Sequence, residues 1–175
     1  MEAGVVRNGH NGAMRTDGLT GTLDNLFGEL MHGVSGAGGF MLNVGDRGLL
    51  RSLERVTAAD ASALTPTGSS IAAHVAHVTY GLSLLNRWSR GENPFAGADW
   101  SAAWRKTSVT EPEWEASRIQ LRDEAARWLT VLRTPRDVED IELSGMIGSI
   151  AHLAYHVGAI RQINSNARGP TEGNR

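Results

Sequence analysis

The longest apolar segment of the chain is IELSGMIGSIAHLAYHVGAIRQIN, residues 141–164. It has no Asp, Glu, Lys or Arg between Glu142 and Arg161, and it is long enough to span a membrane. Two His, two Ser and three Gly interrupt the apolar run, however, and no aromatic or basic anchors flank it. We therefore interpret it as a helix buried at the centre of a helical domain and expect no membrane partner.

Three other segments repeat apolar residues at helical spacing. The first covers about residues 23–31 and ends at Gly33, the second covers 71–91, and the third runs from a Thr110–Glu113 capping box to about residue 134. A short helix is expected over about residues 47–56 with Asp46 as its N-cap. Residues 91–104, GENPFAGADWSAAW, break the periodicity and predict a long connection with at most one helical turn.

These segments predict the fold class. Without a convincing strand or βαβ alternation, we expect an all-α four-helix bundle with a short extra helix between the first and second long helices. A length of 175 residues suits one domain. We place that domain at residues 18–167, between a flexible N-terminal tail at 1–17 and a flexible C-terminal end at 168–175.

Charge and composition exclude several classes of function. Lys and Arg number 17 against 19 Asp and Glu, a formal net charge of -2, so we expect no nucleic acid partner. The chain has no Cys, which excludes disulfides, thiolate metal ligands and a cysteine nucleophile. The N-terminal residues show neither a signal-peptide nor a transit-peptide pattern, and we expect a cytoplasmic protein.

The histidines carry the functional signal. His74 and His77 lie on the second long helix, and His152 and His156 lie on the last. With 6 His in 175 residues, a pair at either spacing is expected about 0.17 times by chance, so both together would arise in roughly 3% of such sequences. Each spacing places both rings on one helix face, where they can bind one metal ion.

The small residues Gly145, Ser149 and Ala159 lie on the same side of the last helix as its two His and predict a cavity beside the metal. Which residue of the second helix completes the site stays open at this point. Periodicity favours His74, which lies closer to the apolar stripe, whereas small residues one turn either side favour His77.

These motifs resemble the DinB/YfiT family of metal-dependent enzymes, whose members are four-helix bundles with a metal held by three His. The family pattern has a Ser or Thr at the start of the second helix and a ligand His seven residues later, matched here by SIAAHVAH, residues 70–77. Its H-x-x-x-H in the last helix is matched by HLAYHVGAI, residues 152–160. The resemblance implies His77, His152 and His156 as metal ligands, with His74 as a supporting residue or an alternative ligand.

The resemblance also implies a function. We expect one divalent transition metal ion, Zn or Ni first, and a transferase that joins a low-molecular-weight thiol such as bacillithiol or mycothiol to a small-molecule electrophile. A hydrolase that uses a metal-activated water is the other enzyme class that such a site would support. A three-His set leaves a coordination position open, as in catalytic sites. We find no second catalytic group, because no carboxylate lies three or four residues from these His. The alternative is a non-enzymatic metal- or ligand-binding stress-response module, with a homodimer among the expected assemblies.

Overall fold

The computed structural model describes residues 13–36 and 38–171, and in them the predicted all-α class is confirmed. The α-helices are α1 (Thr20–His32), α2 (Gly48–Leu53), α3 (Ala58–Ser62), α4 (Ile71–Trp88), α5 (Trp100–Trp104), α6 (Glu111–Arg133) and α7 (Asp140–Ile163). Two 3-10 turns, Phe95–Gly97 and Ser165–Ala167, and two short antiparallel strands, β1 (Met14–Arg15) and β2 (Asp137–Val138), complete the described elements.

Capping groups fix where the long helices begin. Ser70 caps α4, since its hydroxyl accepts a hydrogen bond from the backbone N–H of Ala73. The predicted Thr110–Glu113 capping box is present at the start of α6. Glu139 and Glu142 form a box of the same kind at the start of α7. These helices therefore begin close to the residues that the sequence predicts.

The four long helices pack in a cycle. α6 contacts α1 and α4, and α7 contacts the same two helices. The core between them consists of apolar side chains from every long helix. Its largest fully buried members include Phe27, Leu30, Ile71, Trp114, Trp128 and Met146. Such burial is the main stabilising contribution in a helical domain of this size.

The region between α1 and α4 differs from the prediction in detail. The expected helix over residues 47–56 is shorter, Gly48–Leu53, and Arg47 rather than Asp46 occupies its N-cap position. The Asp46 carboxylate still accepts a hydrogen bond from the Gly48 N–H. A second short helix, α3, follows, and its Thr57 capping box was not predicted because the helix has only five residues.

Two other local predictions need correction. The connection over residues 91–104 holds more than one helical turn, because it contains both a 3-10 turn and α5. β1 and β2 are two-residue strands, too short to give a periodic pattern. Their pairing places Met14 opposite Val138.

The predicted flexible ends overlap residues with defined contacts. Thr16 is fully buried, and its hydroxyl donates a hydrogen bond to the Arg136 carbonyl. The Pro170 carbonyl accepts a hydrogen bond from the Asn43 side chain, and the Arg168 carbonyl accepts one from Arg55. The remainder of the two predicted ends, residues 1–12 and 172–175, lies outside the described residues.

α7 is the one helix of the described ranges that is long and apolar enough to cross a membrane by length and composition. Its most apolar window has a mean hydropathy of 1.2, and 39% of that window is buried. α7 contacts α1 and α4, but less than half of this window is buried, and Ile141, Ile147 and Tyr155 are exposed. The predicted burial at the centre of the domain is therefore confirmed for one face of α7 only.

Candidate metal centre

α4 and α7 bring four imidazoles together in one cluster, the histidine cluster, made of His74, His77, His152 and His156. His74, His77 and His156 are buried, and His152 is partly exposed. Adjacent helices in a bundle lie close enough for side chains of this length to meet between them. The two spacings noted in the sequence therefore place all four rings in one small volume.

Three of these rings converge through the same type of atom. The Nε2 atom of His152 lies 3.1 Å from Nε2 of His77 and 3.0 Å from Nε2 of His156. One potential ligand atom from each of the three side chains lies within 4.8 Å of the other two. His77, His152 and His156 are thus close enough to bind one metal ion.

Hydrogen bonds alone satisfy this arrangement poorly. A nitrogen of a neutral imidazole carries either one hydrogen or one lone pair. Nε2 of His152 can therefore form only one good hydrogen bond, yet it faces two other Nε2 atoms at hydrogen-bonding distance. A cation at the meeting point would accept the lone pairs of all three nitrogens.

The separations fit a first-row transition metal. With metal–nitrogen bonds of ~2.0 to 2.1 Å, two ligand nitrogens lie about 2.9 Å apart at a right angle and about 3.3 Å apart at the tetrahedral angle. The two Nε2 separations around His152, 3.0 and 3.1 Å, lie between these limits. The donor set is all imidazole, which suits Zn, Ni, Cu or Fe and not the hard cations Mg or Ca.

His74 contacts the opposite side of one ring of the trio. Its Nδ1 atom lies 2.8 Å from Nδ1 of His156. If Nε2 of His156 offers its lone pair to a metal, Nδ1 of His156 carries the hydrogen and donates it to His74. His74 thus contacts the far side of the His156 ring, while His77 lies beside the α7 pair.

The environment keeps the imidazoles neutral. Burial, together with the nearby His152 and His74, lowers the pKa of His77 to about 4. Burial and the three neighbouring His rings lower the pKa of His156 to about 3. Burial also lowers the pKa of His74 and of His152. Neutral imidazoles at physiological pH have the free lone pairs that metal binding requires.

Two tryptophans of α5 pack on the cluster. The Trp104 ring lies 4.7 Å from His77 and 5.0 Å from His74 between ring centroids, and Trp100 lies 5.7 Å from His77. The sequence alone indicates no role for these tryptophans. A role for them could have been inferred only from their spacing, because two tryptophans four residues apart, directly after the capping Asp99, lie on one face of a short helix.

α5 is anchored to α4 at its first turn. The Tyr80 hydroxyl accepts a hydrogen bond from the Asp99 N–H, and the Tyr80 and Trp100 rings lie edge to face at 5.6 Å. Asp99 caps α5 through the N–H groups of Ser101 and Ala102. Hydrogen bonds from the Ser101 hydroxyl and Arg105 lower the pKa of Asp99 to about 2. These contacts hold the two tryptophans over the histidines.

A cavity of about 940 Å³ adjoins the trio between α4 and α7. His152 belongs to its wall, and so do Gly145 and Ser149, two of the three small residues that predicted a cavity on this side of α7. Ala159, the third, is not part of the lining. The remaining lining residues are Val78, Gly81, Leu82, Leu85, Trp88, Asn93, Phe95, Trp100, Ile141, Ser144, Gly148 and Leu153.

The remaining histidines lie apart from the cluster. His32 is exposed at the end of α1, and His10 lies outside the described residues. Burial is the main cause that lowers the pKa of His32. His32 therefore provides a control for experiments on the cluster.

Comparisons of the chain with protein-family models, with curated proteins and with solved structures found no match.

Proposed function

We propose that the chain is a metal-dependent enzyme of the DinB superfamily type, a four-helix bundle that binds one divalent ion through His77, His152 and His156. Its reaction is the transfer of a low-molecular-weight thiol to a small electrophile. The observation that supports the proposal is the convergence of three Nε2 atoms beside a cavity that can accept a small molecule. The resemblance of SIAAHVAH and HLAYHVGAI to the family motifs supplies the reaction class.

The site offers an ion three protein ligands and one side that faces the cavity. A structural zinc site is closed by four protein ligands, whereas a catalytic site keeps a position for water or substrate. When bound, a divalent metal supplies Lewis acidity that lowers the pKa of a water or a thiol. His152, at the cavity wall, is the ligand closest to an incoming molecule.

The proposed reaction is redox-neutral. The sulfur of the thiol forms a bond to the electrophilic carbon, the leaving group departs with its electron pair, and the thiol proton passes to solvent. The thiol has to come from a cosubstrate, because the chain contains no Cys. Trp100 and Trp104 pack against the His77 ring and would help to position reactants beside the metal.

Elemental analysis of tag-free protein tests the metal site. We expect about one Zn or Ni ion per chain in the wild type and in the control His32→Ala, and none in His77→Ala/His152→Ala/His156→Ala. Circular dichroism establishes that the variants are folded. If neither the wild type nor the control takes up metal on titration, the metal site is wrong.

The reaction is tested separately with metal-loaded protein. We expect saturable, metal-dependent loss of thiol and electrophile in equal amounts, absent from the triple variant. Stoichiometric metal without turnover of any thiol and electrophile would contradict the transferase assignment and favour the alternative, a metal- or ligand-binding module.

A further inference from the structure

The cavity beside the histidine cluster is built around aromatic rings. Trp88 and Phe95 lie edge to face at 5.5 Å, and Trp100 lies over Gly81 of α4. A side chain at Gly145 would collide with the Trp88 ring, since a Cβ there would come within 2.6 Å of it. Glycine at this position therefore lets the indole lie across α7 and form one wall of the cavity.

The lining of the cavity carries no formal charge. None of the described residues that form it is Asp, Glu, Lys or Arg. The Ser149 hydroxyl is already used, because it accepts a hydrogen bond from Trp128 and donates one to the Met146 carbonyl. Nε2 of His152 is engaged with His77 and His156, so Asn93 and Ser144 are the polar side chains of the lining left for a ligand. An ion that entered this cavity would meet no opposite charge on its lining, whereas an apolar group would be removed from water there.

We infer that the cavity binds an uncharged, largely apolar molecule with an aromatic or aliphatic body. Its volume is at the upper end of the range typical for small-molecule sites, and its rings offer stacking and edge contacts. In the proposed enzyme this ligand is the electrophile, so the substrate class rests on the proposed function. The binding itself does not depend on a metal.

Two glycines of α7 form a matched pair for a test. Gly148 lines the cavity, and a Cβ there would meet nothing within 4 Å. Gly158 has the same open surroundings on the same helix but does not line the cavity. Gly148→Leu places a side chain in the cavity without a backbone clash. Gly158→Leu is its control, because it changes the helix propensity of α7 by the same amount and leaves the cavity unfilled. Ser144→Leu, at an exposed lining residue, provides a second filling variant.

The experiment titrates chelator-treated protein with Nile red, a neutral dye, and with the anionic dye anilinonaphthalene sulfonate. We expect saturable binding of one Nile red with a Kd on the order of 10 μM. In Gly148→Leu and Ser144→Leu the affinity falls at least about tenfold, in Gly158→Leu it stays within about twofold, and the anionic dye binds at least about tenfold more weakly than Nile red.

Three results would overturn the inference: no saturable Nile red binding, equal binding by the Gly148→Leu and Gly158→Leu proteins, or binding of the anionic dye as tight as that of Nile red. Thermal melting identifies a filling variant that fails to fold, and the other filling variant then decides. Because the protein is metal-free in this titration, a failed metal site leaves the result unchanged. A cavity that binds no dye likewise leaves the metal analysis unchanged.

Discussion

Two groups of buried polar side chains in this molecule differ in how well hydrogen bonds satisfy their polar atoms. In the first, Glu29 and Asp46 hold the segment between α1 and α2, and we call this group the loop anchor. Glu29 accepts hydrogen bonds from the N–H groups of Phe40, Met41 and Leu42, and Asp46 accepts from Gly48 and Arg161. In the histidine cluster, Nε2 of His152 faces two other Nε2 atoms at hydrogen-bonding distance and can form only one good hydrogen bond.

The loop anchor and the histidine cluster are therefore expected to have different roles, one in stability and the other in metal binding. A buried carboxylate that accepts two or three hydrogen bonds stabilises a loop without a bound ion. Neutral imidazole nitrogens that face one another cannot all form hydrogen bonds, and one bound cation would accept their lone pairs instead. We therefore expect changes in the loop anchor to lower the free energy of unfolding, and changes in the histidine cluster to act on metal binding.

The largest expected effect is on metal affinity in His156→Ala. Small zinc domains obtain ~10 to 16 kcal/mol from a complete ligand set, so one lost ligand removes about 3 to 4 kcal/mol, roughly a 100- to 1,000-fold loss of affinity. Competition titration with a chromogenic chelator measures this, with His32→Ala as the control. Unchanged affinity in His156→Ala would remove this residue from the ligand set.

Asp46→Ala addresses the loop anchor. Asp46 is buried and pairs with Arg161 at 2.9 Å, and both side chains are largely shielded from water. Removing the carboxylate leaves the guanidinium without its partner, which lowers the free energy of unfolding by about 3 kcal/mol. Urea unfolding measures the change, and Asp24→Ala, which breaks the more exposed pair with Arg133, is expected to have little effect. Equal losses in both variants would contradict the assignment of Asp46.

A smaller effect on metal binding is expected for His74→Ala. This change leaves the three ligands in place and removes the acceptor for Nδ1 of His156. Residues that orient a ligand ring change metal affinity by about 10- to 100-fold. The same chelator competition measures it, and recovery by His74→Asn, whose side-chain oxygen is an acceptor, separates the orienting role from lost packing. A loss as large as that of His156→Ala would instead make His74 a ligand.

Glu29→Gln is expected to have the smallest effect on the free energy of unfolding, and that effect should depend on pH. Burial raises the pKa of Glu29, but the three N–H donors outweigh it and hold the pKa below its ordinary value of 4.5. The carboxylate therefore contributes stability above about pH 4.5 that is lost as the pH falls through the folded-state pKa. The difference in unfolding free energy between wild type and Glu29→Gln should be about 1 to 2 kcal/mol near neutral pH and shrink in acid.

The control for this pH profile is Glu54→Gln, at an exposed pair with Arg51. It should leave the unfolding free energy nearly unchanged at every pH. A Glu29→Gln difference that is independent of pH would show that the carboxylate charge is not what holds the loop.

Much of the helical framework could be predicted from local patterns. The caps and apolar periodicity of α4 and α6, and the uncharged apolar run of α7, lie within single segments, so the sequence places the bounds of these helices within a few residues. The pairing of β1 with β2 could not be predicted, because its hydrogen bonds join residues more than a hundred positions apart. α3 was missed because a helix this short has no periodicity to detect.

The candidate site was predictable to a similar extent. The spacing of each His pair showed that two rings share a helix face, but it left His74 and His77 as alternatives. Only the packing of α4 on α7 shows that His77 meets Nε2 of His152 while His74 meets the other side of His156. The contact of Trp104 with His77 likewise depends on how α5 folds back, which no local pattern specifies.

Anomalous diffraction at the absorption edge of the bound metal tests the central claim most directly. Crystals of tag-free protein loaded with one equivalent of Zn or Ni should show one strong peak per chain, about 2.0 to 2.1 Å from the Nε2 atoms of His77, His152 and His156. The peak should be open to the cavity on the side of His152. A peak bound elsewhere, or density for three unliganded imidazoles in loaded crystals, would contradict the account.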